Sequence, residues 1–174
     1  MNHNSRYNRN NETGASMRRK DRSVTNVEDI KEIISKIKVC RIGLVDHDTP
    51  YIVPLNFGYT FTDQLDVLYF HSAHIGRKID LIKTNPKACF EMDDKHQLIT
   101  GDLACDYTYD FVSIIGTGVI EFIEERSEKI NALDILMKHQ SGKDGFTYSD
   151  VALDQVTVYR LKVTEVQVKR HSTS

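Results

Sequence analysis

The residues best equipped for chemistry stand together in Tyr69-Phe70-His71-Ser72-Ala73-His74-Ile75-Gly76-Arg77-Lys78. A strand pattern runs out at His71 or Ser72, and a helical one takes over a few residues later. A helix start exposes unpaired N–H groups and the positive pole of the peptide dipoles, both of which attract an anion. Ser72 brings a hydroxyl donor, Gly76 allows close backbone approach, and Arg77 with Lys78 adds two cations. A guanidinium grips phosphate through paired N–H bonds, an ammonium as a point charge. These parts favour capture of a phosphomonoester. The plainer alternative, a surface helix with two solvated basic residues, stays open on the local pattern alone.

His71, with an ordinary pKa near 6.5, is a candidate proton donor beside that site; otherwise it is a packed histidine at a strand end. His71 and His74 lack an accompanying carboxylate or thiolate at ligand spacing, so no metal site is expected. Cys105 is read as a small packed hydrophobe. Asp106 and Asp110 read as residues that cap or orient their loop, or as solvated carboxylates. His139 ends a helical pattern, where a cation suits the dipole.

The chain has 174 residues, 40% hydrophobic and 28% charged, the composition of an ordinary globular protein with a sizeable core. A formal charge of −2 gives no electrostatic reason to expect nucleic acid or an anionic membrane as partner. Three widely spaced cysteines form no CxxC pair, so reduced thiols and a cytoplasmic location are expected. No apolar run suggests a membrane span or a signal peptide. The polar, Asn-rich residues 1–16 read as a disordered extension or tag, followed by one domain over 17–174.

The elements that must carry the site follow from periodicity. Val27 to Lys38 reads as a helix, with Thr25 and Glu28 as a capping box and Val27, Ile30, Ile33, Ile34 and Ile37 on one face. Strands are expected at Cys40–Asp46, Tyr51–Tyr59, Leu65–His71, Lys87–Asp93, Phe111–Glu124 and Val156–Val168. Pro54 demands an edge or bulge, and Gly116 with Gly118 a bend or close approach. Helices are expected at Ile75–Thr84 and Glu125–Gln140, and a long loop from Asp94 to Asp110. Six strands with short connections favour an antiparallel β-barrel with peripheral helices, closed so that no edge is left free.

The ordered series Cys40-Arg41-Ile42-Gly43-Leu44-Val45-Asp46, Pro54-Leu55-Asn56-Phe57-Gly58-Tyr59, His71-Ser72-Ala73 and Gly76-Arg77-Lys78 resembles the pyridoxamine 5′-phosphate oxidase-like split-barrel flavoproteins. Within them it is most similar to the nitroimidazole-resistance subgroup. Ala104-Cys105-Asp106, Ser113-Ile114-Ile115-Gly116-Thr117-Gly118 and Met137-Lys138-His139-Gln140-Ser141-Gly142 extend the likeness, as does the start Met17-Arg18-Arg19-Lys20-Asp21-Arg22. The resemblance implies a six-stranded antiparallel split β-barrel of FMN-binding type, and a homodimer with one FMN in each of two clefts between subunits. It puts Arg77, Lys78 and Ser72 on the FMN phosphate, and Pro54, Leu55 and Asn56 along the isoalloxazine. It puts Phe70 and His71 beside the ring and ribityl chain, and Ser113 where relatives with Gln reach the cofactor. The Cys-Asp-Trp or Cys-Asp-Phe of many similar chains is here Cys105-Asp106-Tyr107. The basic and aromatic residues with which true oxidases grip pyridoxal phosphate have no counterpart near the C-terminus, which argues against that reaction.

The resulting expectation is an FMN-dependent reductase of small aromatic or nitroaromatic molecules, with His71 as its candidate catalytic side chain. No GxGxxG fingerprint is present, so NAD(P)H would be a transient electron donor. The alternatives are a flavin-binding or sensing module without turnover, and a split barrel that binds haem or a deazaflavin.

Overall fold

The computed structural model describes residues 19–172; the expected disordered stretch 1–16 lies outside the described residues. The first helix, α1 (Val27–Lys36), is capped by Asn26, whose side chain accepts from the backbone N–H of Glu28 and Asp29 at 2.9 and 3.1 Å. Asn26 thus replaces the expected Thr25 as cap, supplying an equivalent acceptor one residue nearer the helix. Ile30, Ile33 and Ile34 turn into the core.

The chain continues through β1 (Val39–Asp46), β2 (Thr49–Asn56), β3 (Gly58–Phe61), β4 (Leu65–Ser72) and α2 (Arg77–Thr84). Then come β5 (Lys87–Ile99), β6 (Thr108–Ile123), α3 (Arg126–Ser141), α4 (Asp150–Asp154) and β7 (Thr157–His171). The named strands form one antiparallel sheet in the order β2-β1-β5-β6-β7-β4-β3. The sheet has seven strands where six were expected, and it is not closed.

The extra strand arises because Tyr51–Tyr59 is not continuous. At Phe57 the chain crosses from one edge of the sheet to the other. Phe57 is fully buried, and its carbonyl accepts from the Gln140 side chain at 2.8 Å. Pro54 lies opposite Arg41 on the edge strand β2, where a missing N–H costs little.

The expected loop from Asp94 to Asp110 is largely strand. β5 and β6 stay paired out to Ile99 and Thr108, across a bulge between Asp94 and Gln97 where Lys95 has φ 71°. Lys95 to Leu98 are exposed in succession, so no alternation announces the strand, and the bulge breaks the period. A single 3₁₀ turn, Ala104–Asp106, lies at its tip.

The barrel interior is filled by Ile42, Leu44, Phe70, Phe90, Met92 and Leu161, with the α1 isoleucines against them. Each such side chain contributes roughly 1.5–3 kcal/mol on burial. A second cluster joins α3 and α4 to the sheet through Leu133, Leu153 and Val158. Gly116 meets the expectation of close approach: a Cβ there would lie 2.4 Å from the Phe90 ring. Among the described residues no helix is long and apolar enough to cross a membrane.

Helix α3 presses on β3 closely enough that a Cβ on Gly58 would lie 2.5 Å from Leu136 Cα, which is backbone and cannot yield cheaply. Gly58→Ala is therefore expected to cost about 1–3 kcal/mol, read as a lower urea midpoint at unchanged slope. An unchanged midpoint would refute tight packing of α3 on this strand.

Candidate functional site

Strand β4 ends at Ser72, and α2 starts four residues later, past Gly76. Gly76 is the N-cap, with φ 147° and ψ 158°, a backbone region open essentially to glycine alone. Its carbonyl accepts from the N–H of Ile79 at 2.8 Å, and no side chain caps the helix. Ile75, expected as the first residue of this helix, instead precedes it and is 89% exposed. The helix start is thus bare, with Arg77 and Lys78 as its first two residues. Among the described residues, apart from its chain neighbours, nothing lies within 4 Å of where a Gly76 Cβ would stand. The Ser72 hydroxyl donates to the Ala73 carbonyl at 3.0 Å. The sequence-predicted Ser72, Arg77 and Lys78 therefore flank one short loop.

Arg77 connects this loop to the β1–β2 hairpin. Its Nε donates to Asp46 Oδ2 at 2.8 Å, Nη2 donates to the same oxygen, and the guanidinium lies 4.7 Å over the Tyr51 ring. The Arg77 bonds, and next the His47 bond, hold the Asp46 carboxyl below its usual range. Pro54, Leu55 and Asn56 follow Tyr51 along β2, roughly 10 Å of extended chain farther on. The Asn56 amide donates to the Lys38 carbonyl at 3.1 Å and to Gln140 Oε1 at 3.2 Å, which ties this edge to the end of α3.

The remaining candidates separate. His71 is exposed on β4, and partial desolvation followed by the nearby Lys78 ammonium hold its pKa below the usual value. Phe70 is fully buried and stacked on Tyr159 with ring centroids 5.7 Å apart, so it can offer an outside ligand only backbone. Ser113 pairs with Asp93 and Lys169, toward the end of β7 opposite Thr157, the partner of Ser72. One chain does not bring Ser113 to the loop. His74 is occupied structurally, with Nδ1 2.7 Å from Thr157 Oγ1 and Nε2 on the Asp154 carbonyl. Cys105, expected to pack, is exposed at the tip of the β5–β6 arm.

Sequence reasoning missed Asp46 and Tyr51, whose partner Arg77 is distant along the chain. It also missed the polar role of His139, which expected dipole complementarity alone. His139 Nε2 lies 2.8 Å from the Ile37 carbonyl, its ring packs on Phe57 and Tyr59, and burial lowers its pKa. Burial thus disfavours the charged imidazole that dipole complementarity would require.

The donors fit a phosphate-bearing ligand: a bare helix start, a guanidinium held in place, an ammonium, a hydroxyl and open space beside Gly76. The family model described as pyridoxamine 5′-phosphate oxidase matches residues 26–170. A solved structure assigned as a 5-nitroimidazole antibiotic resistance protein from Bacteroides thetaiotaomicron is 36% identical, covering 84% of this chain and 85% of its own, with a TM-score of 0.74. A FAD- and haem-binding protein from Mycobacterium smegmatis is 15% identical, covering 87% of this chain and 74% of its own, with a TM-score of 0.75. A flavocytochrome from Azotobacter vinelandii is 17% identical, covering 90% and 72%, with a TM-score of 0.74; these last two share the fold. No curated protein matches.

The folded chain binds protons at His71 and His139 less readily than the unfolded chain does, so these residues make stability fall as pH drops below about 6.5. His71 is expected to titrate below that value by NMR. Lys78→Ala should raise its midpoint by removing the neighbouring cation, and an unmoved midpoint would separate the two residues.

Proposed function

Because the chain belongs to the pyridoxamine 5′-phosphate oxidase family, we propose that it binds FMN and acts as an NAD(P)H-dependent reductase of small aromatic or nitroaromatic compounds. The observation that supports this most is the position of Arg77. One guanidinium joins the bare start of α2 to Tyr51, at the beginning of the edge strand that carries Pro54, Leu55 and Asn56. A phosphate at α2 and a flat ring along β2 would then be about one ribityl chain apart, given roughly 3.3 Å of strand per residue.

In this reading Arg77, Lys78, Ser72 and the α2 N–H groups hold the phosphate. Asp46 and Tyr51 fix the orientation of Arg77. The β2 backbone at Pro54–Asn56, kept in place by Gln140, edges the ring. His71, neutral at pH 7, offers one N–H and one acceptor nitrogen and no charge. Bound FMN would supply hydride and electron transfer between nicotinamide and acceptor. The solved relative assigned to 5-nitroimidazole resistance supports the choice of acceptor class.

A homodimer belongs to the same reading. The outer face of β1, β2, β5 and β6 bears an apolar groove of roughly 550 Å³ lined by Gly43, Val45, Ile52, Cys89, Thr117 and Val119. Ile52 is 64% exposed there. A second copy covering this face would bury it, and would give Ser113 a route to a cofactor on the other chain. A second reading is a flavin-binding module without turnover, since His71 alone among the sequence-predicted site residues is a candidate proton donor.

Purified protein is expected to be yellow, without a Soret band. Arg77→Ala combined with Lys78→Ala should cost about 2–4 kcal/mol of FMN affinity in fluorescence titration. Undiminished affinity would move the phosphate elsewhere. Anaerobic NAD(P)H followed by a nitroaromatic should bleach and restore the flavin band, and a bound flavin that never turns over would leave the binding module.

A further inference from the structure

Tyr159 on β7 is 1% exposed, and its hydroxyl is buried without a hydrogen-bond partner among the described residues. Its ring stacks on Phe70 and meets Phe122 edge-on at 6.2 Å, so its position is set by packing. A buried unpaired hydroxyl costs about 1–3 kcal/mol, a cost phenylalanine would avoid.

The sheet register says where that hydroxyl can find a partner. Phe70 pairs with Tyr159, and Ser72 pairs with Thr157. Phe70 and Ser72 are two apart on one strand and so share a face with Tyr159. That makes Ser72 the diagonal neighbour of Tyr159, within reach of a long aromatic side chain. Burial raises the Tyr159 pKa, and the Ser72 hydroxyl, close enough to act on the phenol as a hydrogen-bonding group though outside good hydrogen-bond geometry, lowers it by less. In the free protein the Ser72 hydroxyl is turned to the Ala73 carbonyl, to which it donates at 3.0 Å.

We propose that Tyr159 is a positioning residue of the phosphate loop: its hydroxyl donates to Ser72 Oγ, and this turns the Ser72 O–H toward a phosphate oxygen. The inference rests on the reading that the phosphate sits at Ser72, Arg77 and Lys78. Ser72 Oγ can accept one hydrogen bond while donating another, so the pair forms a short relay from core to rim. Turning the Ser72 side chain from the Ala73 carbonyl to a phosphate would bring its oxygen into hydrogen-bond geometry with the Tyr159 hydroxyl, a partner that hydroxyl lacks among the described residues. The two states place opposite demands on Tyr159, a cost to the free protein and a gain to the bound one.

Tyr159→Phe in the full chain tests this by two readouts. The thermal midpoint of the ligand-free protein should hold or rise, while FMN affinity should fall about fivefold, one neutral hydrogen bond. Riboflavin, which lacks the phosphate, should bind the variant and the parent equally. Ser72→Ala should lose as much FMN affinity or more, and adding Tyr159→Phe to it should change nothing further. Unchanged FMN affinity in Tyr159→Phe would overturn the proposal, as would an equal loss for riboflavin or additive losses in the double variant. Failure of the underlying phosphate assignment looks different: Arg77→Ala with Lys78→Ala would then leave FMN affinity intact.

Discussion

Two cations at a bare helix start lie at the positive pole of the peptide dipoles, which favours an anion between them, and Asp46 meets part of that demand. Its carboxylate takes one edge of the Arg77 guanidinium while Tyr51 supports the flat face. Arg77 is 59% exposed along its side chain, so the pair adds little to stability. Its effect is geometric. It binds α2 to the β1–β2 hairpin and sets the direction in which the remaining N–H groups point. Among the described residues Lys78 has no comparable anchor, and its charge is felt by His71.

A second set of polar contacts works behind the site. The sheet is open between β2 and β3, and the chain passes from one edge to the other at Phe57. The end of α3 secures that crossing. Gln140 donates to the Phe57 carbonyl and to the Lys38 carbonyl, and accepts from Asn56. His139 contacts the Ile37 carbonyl from the same turn. An edge strand with unpaired backbone groups would ordinarily invite misplaced pairing. Here its register is held from one side by β1 and its end by side chains that cannot slide along it.

Sequence made the loop before α2 legible because its parts are local. Ser72, Gly76, Arg77 and Lys78 fall within one strand-to-helix turn, so residue type and spacing suffice. Helices α1 and α3 were legible because their apolar faces repeat against a core. The partners of Arg77 were not, since Asp46 joins it only through tertiary packing. The seventh strand was hidden by Phe57, a good strand former placed where the chain turns between edges. The β5–β6 arm was hidden for the opposite reason: its exposed residues carry no alternation. Phe70 shows the limit of reading position along a strand, because one step of register separates a core ring from the exposed His71.

The barrel itself says little about which cofactor is held. Solved proteins described as binding FAD, or FAD and haem, share this fold at low identity, so selectivity has to come from side chains at the rim. In this chain those side chains divide between two faces of β4. His71 points outward with its charge suppressed, while Phe70 and Ser72 face the side occupied by Tyr159. A strand whose alternate residues face core and solvent in turn cannot shift by one position without exchanging the two. The pairing of β4 with β7 through Phe70–Tyr159 stacking is therefore what keeps the hydroxyl of Ser72, and with it the start of α2, at the mouth of the barrel.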